Sequence, residues 1–333
     1  GEDGLAFRLA DSGAAALVTD AANLPKIAAI RDRTPELRLV VSVDGPAEGA
    51  LGWAETLARA RDAHDPVDTG REDAAFLSYT SGTTGPPKGA LHAHRCLIGH
   101  LPGVRLVHDF LPRPGDVMWT PADWAWMGGL CNVMMPALHW GVPLISHRME
   151  KFDPERAFRL LAEQRVTCAF LPPTALNLMR AAGRPAGLDL ALRTVGSGGE
   201  ALGTELLGWG RGALGVEIAE FYGQTECNKV LANNPRIFPV KPGSMGRAVP
   251  GYDVAVINSQ GRPLPPGETG EIAMRRGGAS MFLEYWGRPD KTAEKFVGDW
   301  MRSGDEGRMD AEGHVFFAAR ADDVITSSGY RIG

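Results

Sequence analysis

The chain has 333 residues, of which 44% are hydrophobic and 23% are charged, a composition typical of a folded globular protein. This length allows about two domains, or one large domain with subdomains. A formal net charge of -5 argues against nucleic acid as the main partner, because nucleic-acid-binding domains usually carry clustered basic residues. An anionic ligand would therefore have to be held by local groups.

The cysteines and the apolar segments restrict the class of protein further. No two cysteines form a CxxC pair or a Cys/His ligand spacing, so we expect no disulfide and no structural zinc. Free thiols favour a reducing compartment, and we expect a cytoplasmic protein. The longest apolar run, residues 124–138, is interrupted by glycine and proline, so no membrane span is expected. The chain starts without methionine or an apolar leader, so we expect any targeting segment to be absent or to lie outside it.

Short apolar strands alternate with helical patterns in the first 60 residues. Residues 14–19 and 39–43 each have the pattern of a buried strand, and residues 26–33 between them have the pattern of a helix. This strand–helix–strand order predicts a mostly parallel sheet.

A loop rich in glycine and hydroxyl residues follows a predicted strand at residues 74–80. Its sequence, YTSGTTGPPKG over residues 79–89, leads into a short strand at residues 90–92. Its glycines allow close approach of the backbone to an anion, its hydroxyl groups donate hydrogen bonds, and Lys88 adds a positive charge. A Walker A loop has glycine before its lysine and Ser or Thr after it, whereas Lys88 lies between Pro87 and Gly89. The pattern predicts a phosphate-binding loop, with a plain surface connection as the alternative.

Two tryptophans, Trp124 and Trp126, lie beside Asp123 and the pair Gly128-Gly129. They suit the wall of an apolar ligand pocket as well as they suit a core. Three histidines nearby in sequence, at 92, 94 and 100, have no carboxylate or cysteine at ligand spacing, so a metal role is not favoured.

Strands and helices alternate again between residues 150 and 230. Asp153 and Pro154 predict a helix start, and residues 166–171 a buried strand. A predicted strand at 217–222 is followed by the sequence GQTE at 223–226. This places polar groups at the carboxyl edge of a sheet, where open α/β sheets bind ligands, with a simple turn as the alternative.

The pattern changes from Lys241 to turns rich in Gly and Pro and short alternating strands, at 253–257, 271–275, 300–302 and 315–318. It predicts a small all-β subdomain. The charged groups at 303–305 and 320–325 stand beside these strands, and a salt-bridge network would explain both.

Five motifs in their order resemble the adenylate-forming (AMP-binding) superfamily, in particular its acyl-CoA synthetase branch and, within it, medium-chain acyl-CoA synthetases. The motifs lie at 79–89, 198–200, 222–226, 303–305 and 320–333. The resemblance implies an α/β fold with two stacked, mostly parallel sheets, flanking helices and a small β-barrel-like subdomain. It further implies an ATP- and acyl-binding core at 1–245, the all-β subdomain at 246–319 and a hinge run at 320–333. By the same resemblance, the large domain would begin before Gly1 and a mobile C-terminal domain would follow Gly333.

The resemblance also implies roles for individual residues. Thr225, Glu226 and Lys88 would be catalytic, and Glu226 would hold Mg²⁺, a hard cation that prefers carboxylate oxygens. Attack of a carboxylate on the α-phosphorus brings two anions together, so catalysis must come from charge neutralisation and positioning. The residues implied to bind ATP or AMP are Thr80, Ser81, Gly82, Thr83, Thr84, Gly85, Lys88, Gly199, Glu200, Ala201, Tyr222, Gly223, Gln224, Thr225, Asp305, Arg320 and Arg331.

An acyl pocket is implied at Trp126, Gly198 and Gly223. Gly223 stands where acetate-specific members resemble one another in carrying tryptophan, so the missing side chain implies room for a larger acid, such as a medium-chain or aromatic carboxylate. Asp322 matches the family's hinge, about which the C-terminal domain rotates.

The implied reaction is ATP-dependent activation of a carboxylic acid to an acyl-adenylate, with release of pyrophosphate, followed by transfer to CoA. ATP, Mg²⁺ and CoA are the implied cofactors and co-substrates, and a homodimer is one alternative for the oligomeric state. Without the C-terminal domain, adenylate formation is expected to be severely depressed. The alternatives are an adenylation domain that loads a carrier protein and a nucleotide-binding fragment without turnover. A P-loop kinase is the weakest alternative, because Lys88 lacks the glycine before it and the Ser or Thr after it that a Walker A loop requires.

Overall fold

The computed structural model describes residues 1–80 and 86–320, together with the backbone of the strands Ile325–Ser327 and Tyr330–Ile332. The chain divides into two compact units, one made of residues 1–70 and 85–89 and the other of residues 71–84 and 90–333. This division differs from the domain boundaries predicted at 245 and 320, which stay predictions.

The first unit contains a small parallel sheet with helices. The elements are α1 (Glu2–Asp11), β1 (Ala16–Thr19), α2 (Leu24–Ala29), β2 (Leu39–Ser42), β3 (Leu51–Gly52) and α3 (Trp53–Arg59). β1 pairs with β2 and β2 with β3, both in parallel, as the strand–helix–strand pattern predicts. The core of this unit packs Leu9, Ile27, Ile30 and Val40 together. α2 ends at Ala29 and a 3₁₀ turn follows, so the helix predicted to reach residue 33 is shorter than expected.

The larger unit begins with β4 (Ala74–Thr80), at the predicted bounds, and continues through alternating strands and helices. The elements up to residue 248 are β5 (Lys88–Ala93), α4 (Cys96–Val107), β6 (Met118–Trp119), α5 (Met127–Gly129), α6 (Met135–Trp140), α7 (Pro154–Glu163), β7 (Cys168–Phe170), α8 (Pro173–Ala182), β8 (Thr194–Ser197), α9 (Thr204–Trp209), β9 (Ile218–Gln224), β10 (Asn228–Ala232) and β11 (Arg247–Ala248). Two π-helical segments, Leu130–Met134 and Gly210–Leu214, join α5 to α6 and extend α9.

A six-stranded sheet in the order β11-β10-β9-β8-β7-β6 forms the centre of this unit. β6 to β9 run parallel, whereas β10 turns back against β9 and pairs with β11 in antiparallel fashion. The Asp153 side chain accepts hydrogen bonds from the Glu155 and Arg156 amides, which confirms the predicted start of α7. Trp119, Phe158 and Ile218 are fully buried in the main hydrophobic core beside the sheet.

Antiparallel strands follow in the part of the chain beyond residue 250. They are β12 (Val254–Ile257), β13 (Thr269–Arg275), β14 (Glu284–Tyr285), β15 (Phe296–Val297), β16 (Trp300–Met309) and β17 (Val315–Arg320), with α10 (Pro289–Glu294) before β15. The order β12-β13-β16-β15, with β17 on β16, makes a five-stranded sheet, and β14 instead pairs with β5. The hairpin β18 (Ile325–Ser327) and β19 (Tyr330–Ile332) ends the chain. The α/β fold with an antiparallel region is thus confirmed.

The polar motif at 303–305 lies inside a strand, and the motif at 223–226 lies partly inside one. β16 has 10 residues, so residues 303–305 stand within it, where the sequence pattern placed them beside a strand. β9 likewise continues through Gly223 and Gln224, where a strand end was expected. In the described ranges no helix is long and apolar enough to cross a bilayer, and all four cysteines are buried free thiols.

Candidate active site

The Tyr222–Glu226 motif forms a tight hairpin between β9 and β10. Gln224 pairs with Asn228 and Gly223 with Lys229, and the Cys227 amide donates to the Gln224 carbonyl at 3.1 Å. Asn228 has a left-handed backbone, with φ of 51°. A polar motif of five residues is thereby fixed at the edge of the parallel strands.

Gly223 is required by the closeness of the two hairpin strands. A Cβ at this position would lie 1.4 Å from the Asn228 carbonyl oxygen and 2.8 Å from the Lys229 amide nitrogen. The sequence-based interpretation, that the missing side chain opens a wall of the acyl pocket, is therefore corrected: in this backbone the space is filled by main chain.

Asp305 brings three other predicted nucleotide-binding residues together. Its carboxylate, 4% exposed, accepts hydrogen bonds from the Tyr222 hydroxyl at 2.5 Å, the Gln224 amide at 2.8 Å and the Arg320 guanidinium at 2.7 Å. β16 and β17 supply the geometry, since Asp305 and Arg320 face each other in their register. Burial, followed by the charge of Asp305, raises the pKa of Tyr222 well above its usual value, so its hydroxyl remains a donor. The result is a buried carboxylate surrounded by donors.

Glu226 lies at the turn of the hairpin and is 3% exposed. Its Oε1 accepts a hydrogen bond from the Tyr285 hydroxyl and lies 4.0 Å from the Lys295 ammonium. Lys295 also donates to the Gln224 side-chain oxygen at 3.2 Å, which links Glu226 to the Asp305 group. Tyr285 and Lys295 were not predicted as site residues, because β14 and the end of α10 carry no motif. Only the tertiary fold brings the two side chains close to Glu226.

His92, on β5, lies behind the hairpin. It is fully buried, its ring stacks on Phe76 at 4.8 Å, and it faces the Thr225 backbone. Burial lowers the pKa of His92 to about 4, so the ring is neutral near pH 7. Among the residues described, no group of three or more histidine, cysteine or acidic side chains is arranged to hold a metal ion.

The Gly198–Ala201 loop after β8 is attached to the same hairpin through Glu220. The Leu202 amide donates to the Glu220 carboxylate at 3.1 Å, and this side chain is 5% exposed. Burial raises the pKa of Glu220 to about 7. Gly199 has φ of 103°, which favours glycine. Glu220 was not predicted as a site residue, because the sequence alone does not show that an acid inside a strand is buried.

The segment around Trp126 borders a second group of aromatic residues. Trp126 is 43% exposed and Trp124 is half-buried, so neither belongs to the buried core, and the core alternative is wrong. A Cβ at Gly128 would lie 2.9 Å from the Phe170 ring, whose centroid is 5.4 Å from that of Phe221. A pocket wall at Trp126 and Gly198 stays a prediction.

The remaining predicted residues lie at the following places in the fold. Thr80 is the buried last residue of β4, Lys88 begins β5, and Glu200 and Ala201 lie in the loop after β8. Arg331 is in β19, of which the backbone alone is described. The predicted residues outside the described part of the chain are Ser81, Gly82, Thr83, Thr84, Gly85 and Asp322.

The donor set suits a nucleotide with its metal ion. Asp305 is a buried carboxylate able to accept hydroxyl groups, and Glu226 offers carboxylate oxygens of the kind that Mg²⁺ prefers. Lys295 and Arg320 add positive charge near these acids, as an anionic ligand requires.

Known proteins are similar to this chain over most of its length. The AMP-binding enzyme family model matches residues 1–286. The chain is 35% identical over 332 residues to human acyl-coenzyme A synthetase ACSM4, mitochondrial, and 34% identical over 334 residues to acetyl-coenzyme A synthetase of Bacillus subtilis (strain 168). Each match covers 98% of this chain and 57% of the relative.

A solved structure is similar over nearly the whole chain. The anthranilate CoA ligase AuaEII in complex with anthranoyl-AMP superposes with a TM-score of 0.88 at 28% identity, covering 99% of this chain and 63% of that one. The chain thus spans a little over half the length of its curated relatives. The family match over most of the chain, together with the Asp305 and Glu226 groups, leads to one conclusion: the chain belongs to the AMP-binding enzyme family.

Proposed function

We propose that the protein containing this chain activates a carboxylic acid with ATP and transfers the acyl group to CoA. In the first step a carboxylate oxygen bonds to the α-phosphorus while the bond to the β-phosphate oxygen breaks, giving acyl-adenylate and pyrophosphate. In the second step the CoA sulfur takes the acyl group and AMP leaves. The observation that carries this proposal is the buried Asp305 carboxylate, held by Tyr222, Gln224 and Arg320 beside Glu226.

Each residue of the site has a role that follows from its contacts. Asp305 would accept the ribose hydroxyls, because its oxygens are already directed by donors from two strands. Glu226 would hold Mg²⁺, with Tyr285 orienting its carboxylate. When bound, the ion would neutralise phosphate charge. The loop at 198–201, fixed through Glu220, would border the base. Lys88 and Thr225 are proposed to contact the phosphates.

The test uses the full-length protein and measures pyrophosphate release from ATP with a panel of acids, with and without CoA. We expect release that depends on the acid and a thioester product that depends on CoA. Glu226→Gln should reduce release about 100-fold or more, whereas the exposed-site variant Glu268→Gln should not.

Other outcomes would each mean a different function. Release of pyrophosphate without thioester formation would refute CoA as the acceptor and favour a carrier protein. Binding of ATP or AMP with no dependence on any acid would refute the enzyme and favour a nucleotide-binding protein. We also propose a cytoplasmic location, supported by the four buried free thiols.

A further inference from the structure

Lys229 on β10 is a buried lysine with an unusual environment. Its side chain is 2% exposed, and its ammonium nitrogen has no hydrogen-bond acceptor among the residues that the structure describes. The nitrogen lies 4.2 Å from the centroid of the Phe221 ring. A buried ammonium that lacks acceptors is costly, so its retention needs a reason.

The backbone around Lys229 holds this side chain in place. The preceding residue, Asn228, has a left-handed conformation and donates a side-chain hydrogen bond to Asn132 at 3.0 Å. Asn132 lies in the π-helical segment Leu130–Met134, a type of distortion often found at functional sites. On the other side the lysine stem crosses Gly103 of α4, where a Cβ would lie 3.0 Å from the Lys229 Cδ. The stem of Lys229 therefore packs closely on α4 at Gly103.

The ammonium group adjoins the residues predicted to line the acyl pocket. The Phe221 ring under Lys229 would meet a Cβ at Gly198 at 2.7 Å, and it packs against Phe170. Phe170 in turn packs on Gly128, two residues after Trp126. Contacts among Gly128, Phe170 and Phe221 thus lead from the segment at Trp126, predicted to line the acyl pocket, to the Lys229 ammonium.

Within residues 1–80 and 86–320, no acidic side chain offsets that charge. The titratable groups that face Lys229 are His100 on α4 and His108 just after it, and both are fully buried. Burial, with a contribution from Lys229, lowers the pKa of His100 to about 3 and that of His108 well below its usual value, so both rings are neutral. Burial alone lowers the pKa of Lys229 to about 7, with no carboxylate to oppose it.

We propose that Lys229 is a specificity-determining residue that selects acids carrying a second carboxylate at the end remote from the one activated. The proposal rests on the proposed function, because it assumes an acyl pocket between Trp126 and Gly198. A remote carboxylate would supply both the acceptors and the negative charge that the ammonium lacks, and the chain between the two carboxylates would pack on Phe170 and Phe221. A neutral acid of the same length would leave the ammonium unpaired.

The test compares adipate with hexanoate, which have the same number of carbons, as substrates of the full-length protein. For wild type we expect kcat/KM for pyrophosphate release to be at least about 10-fold higher with adipate, the ratio that one charge-assisted hydrogen bond provides. In Lys229→Met the preference should reverse, through a higher KM for adipate and a lower KM for hexanoate. The exposed lysine variant Lys151→Met is the matched control and should keep the wild-type ratio.

The pH dependence of wild type gives a second measurement that does not require the variant to fold. Raising the pH from 6 to 9 should remove the charge of Lys229 and lower the adipate-to-hexanoate ratio, through a higher KM for adipate and, as in Lys229→Met, a lower KM for hexanoate. The same ratio in wild type and Lys229→Met, or a ratio that is independent of pH, would overturn the inference.

If no acid supports pyrophosphate release, the proposed function fails, and adipate binding is then measured by calorimetry. Binding that Lys229→Met abolishes would still support a carboxylate site, and absence of binding to wild type would overturn it.

Discussion

The Tyr222 hydroxyl donates a 2.5 Å hydrogen bond to the Asp305 carboxylate, across 83 residues of sequence. The bond joins the β9 hairpin to β16, so the two polar motifs form one structure. It also helps to set the position of the Asp305 carboxylate. Gln224 and Arg320 donate to the two oxygens of the same carboxylate.

Replacing Asp305 should lower the affinity for AMP. Asp305→Asn keeps the volume but removes the charge and half of the acceptor capacity, and we expect AMP to bind about 10- to 100-fold more weakly. The adjacent Glu306 is exposed, and Glu306→Gln is the matched control. Calorimetry with AMP measures both; equal affinities in the two variants would contradict a ribose-binding role for Asp305.

Glu220 should make the stability of the chain fall as the pH rises through neutrality. Burial raises its pKa from 4.5 to about 7 in the folded state, so its favourable contribution is fully present below pH 4.5 and is lost as the pH rises through 7. Glu220→Gln keeps an acceptor for the Leu202 amide and does not ionise. We expect this variant to gain up to about 3 kcal/mol relative to wild type between pH 4.5 and 8. Urea unfolding at several pH values measures the difference, and the exposed Glu268→Gln should show none.

Lys229 should have the opposite dependence on pH. Its pKa falls from 10.5 in the unfolded chain to about 7, so burial of the charged form destabilises the fold most below pH 7 and not at all above 10.5. Lys229→Met should raise the free energy of unfolding by about 3–5 kcal/mol at pH 6, and the gain should shrink as the pH approaches 10. A constant gain over this range, measured by thermal or urea unfolding, would mean that the ammonium is not desolvated. Lys151→Met should leave stability unchanged at every pH.

Gly223 should tolerate no side chain. Because a Cβ would lie 1.4 Å from the Asn228 carbonyl oxygen, Gly223→Ala must separate the two hairpin strands, and we expect a loss of about 3 kcal/mol or more of unfolding free energy. Gly208 in α9 is exposed and has open space, so Gly208→Ala should instead add about 0.5–1 kcal/mol. Thermal unfolding compares the pair. An unchanged melting temperature for Gly223→Ala would show that the hairpin can open.

Local sequence patterns predicted much of this fold because they report on local structure. The alternation at 74–80 identified β4 at its observed bounds, and Asp153-Pro154 identified the start of α7. The motif residues Tyr222, Gln224, Asp305 and Arg320 do meet. Such contacts are predictable from a resemblance, though not from spacing, since they join strands that are distant along the chain.

The remaining features depend on tertiary packing that no short window of sequence reveals. Lys229 and Glu220 look like ordinary charged residues until the sheet buries them. The role of Gly223 was misread because the space around a glycine depends on the register of the neighbouring strand. Lys295 lies 71 residues from Gln224 in sequence, so its contact with the hairpin could not be anticipated.

The alternation of side chains along β9 separates two groups of contacts. Glu220, Tyr222 and Gln224 point to one side, toward the Leu202 amide and Asp305, whereas Phe221 between them points to the other, toward Phe170, Lys229 and Gly198. One strand thus presents two different sets of contacts on its two faces. Under the proposed function, substitutions around Phe221 could therefore change which acid is accepted while Tyr222, Gln224 and Asp305 keep their contacts.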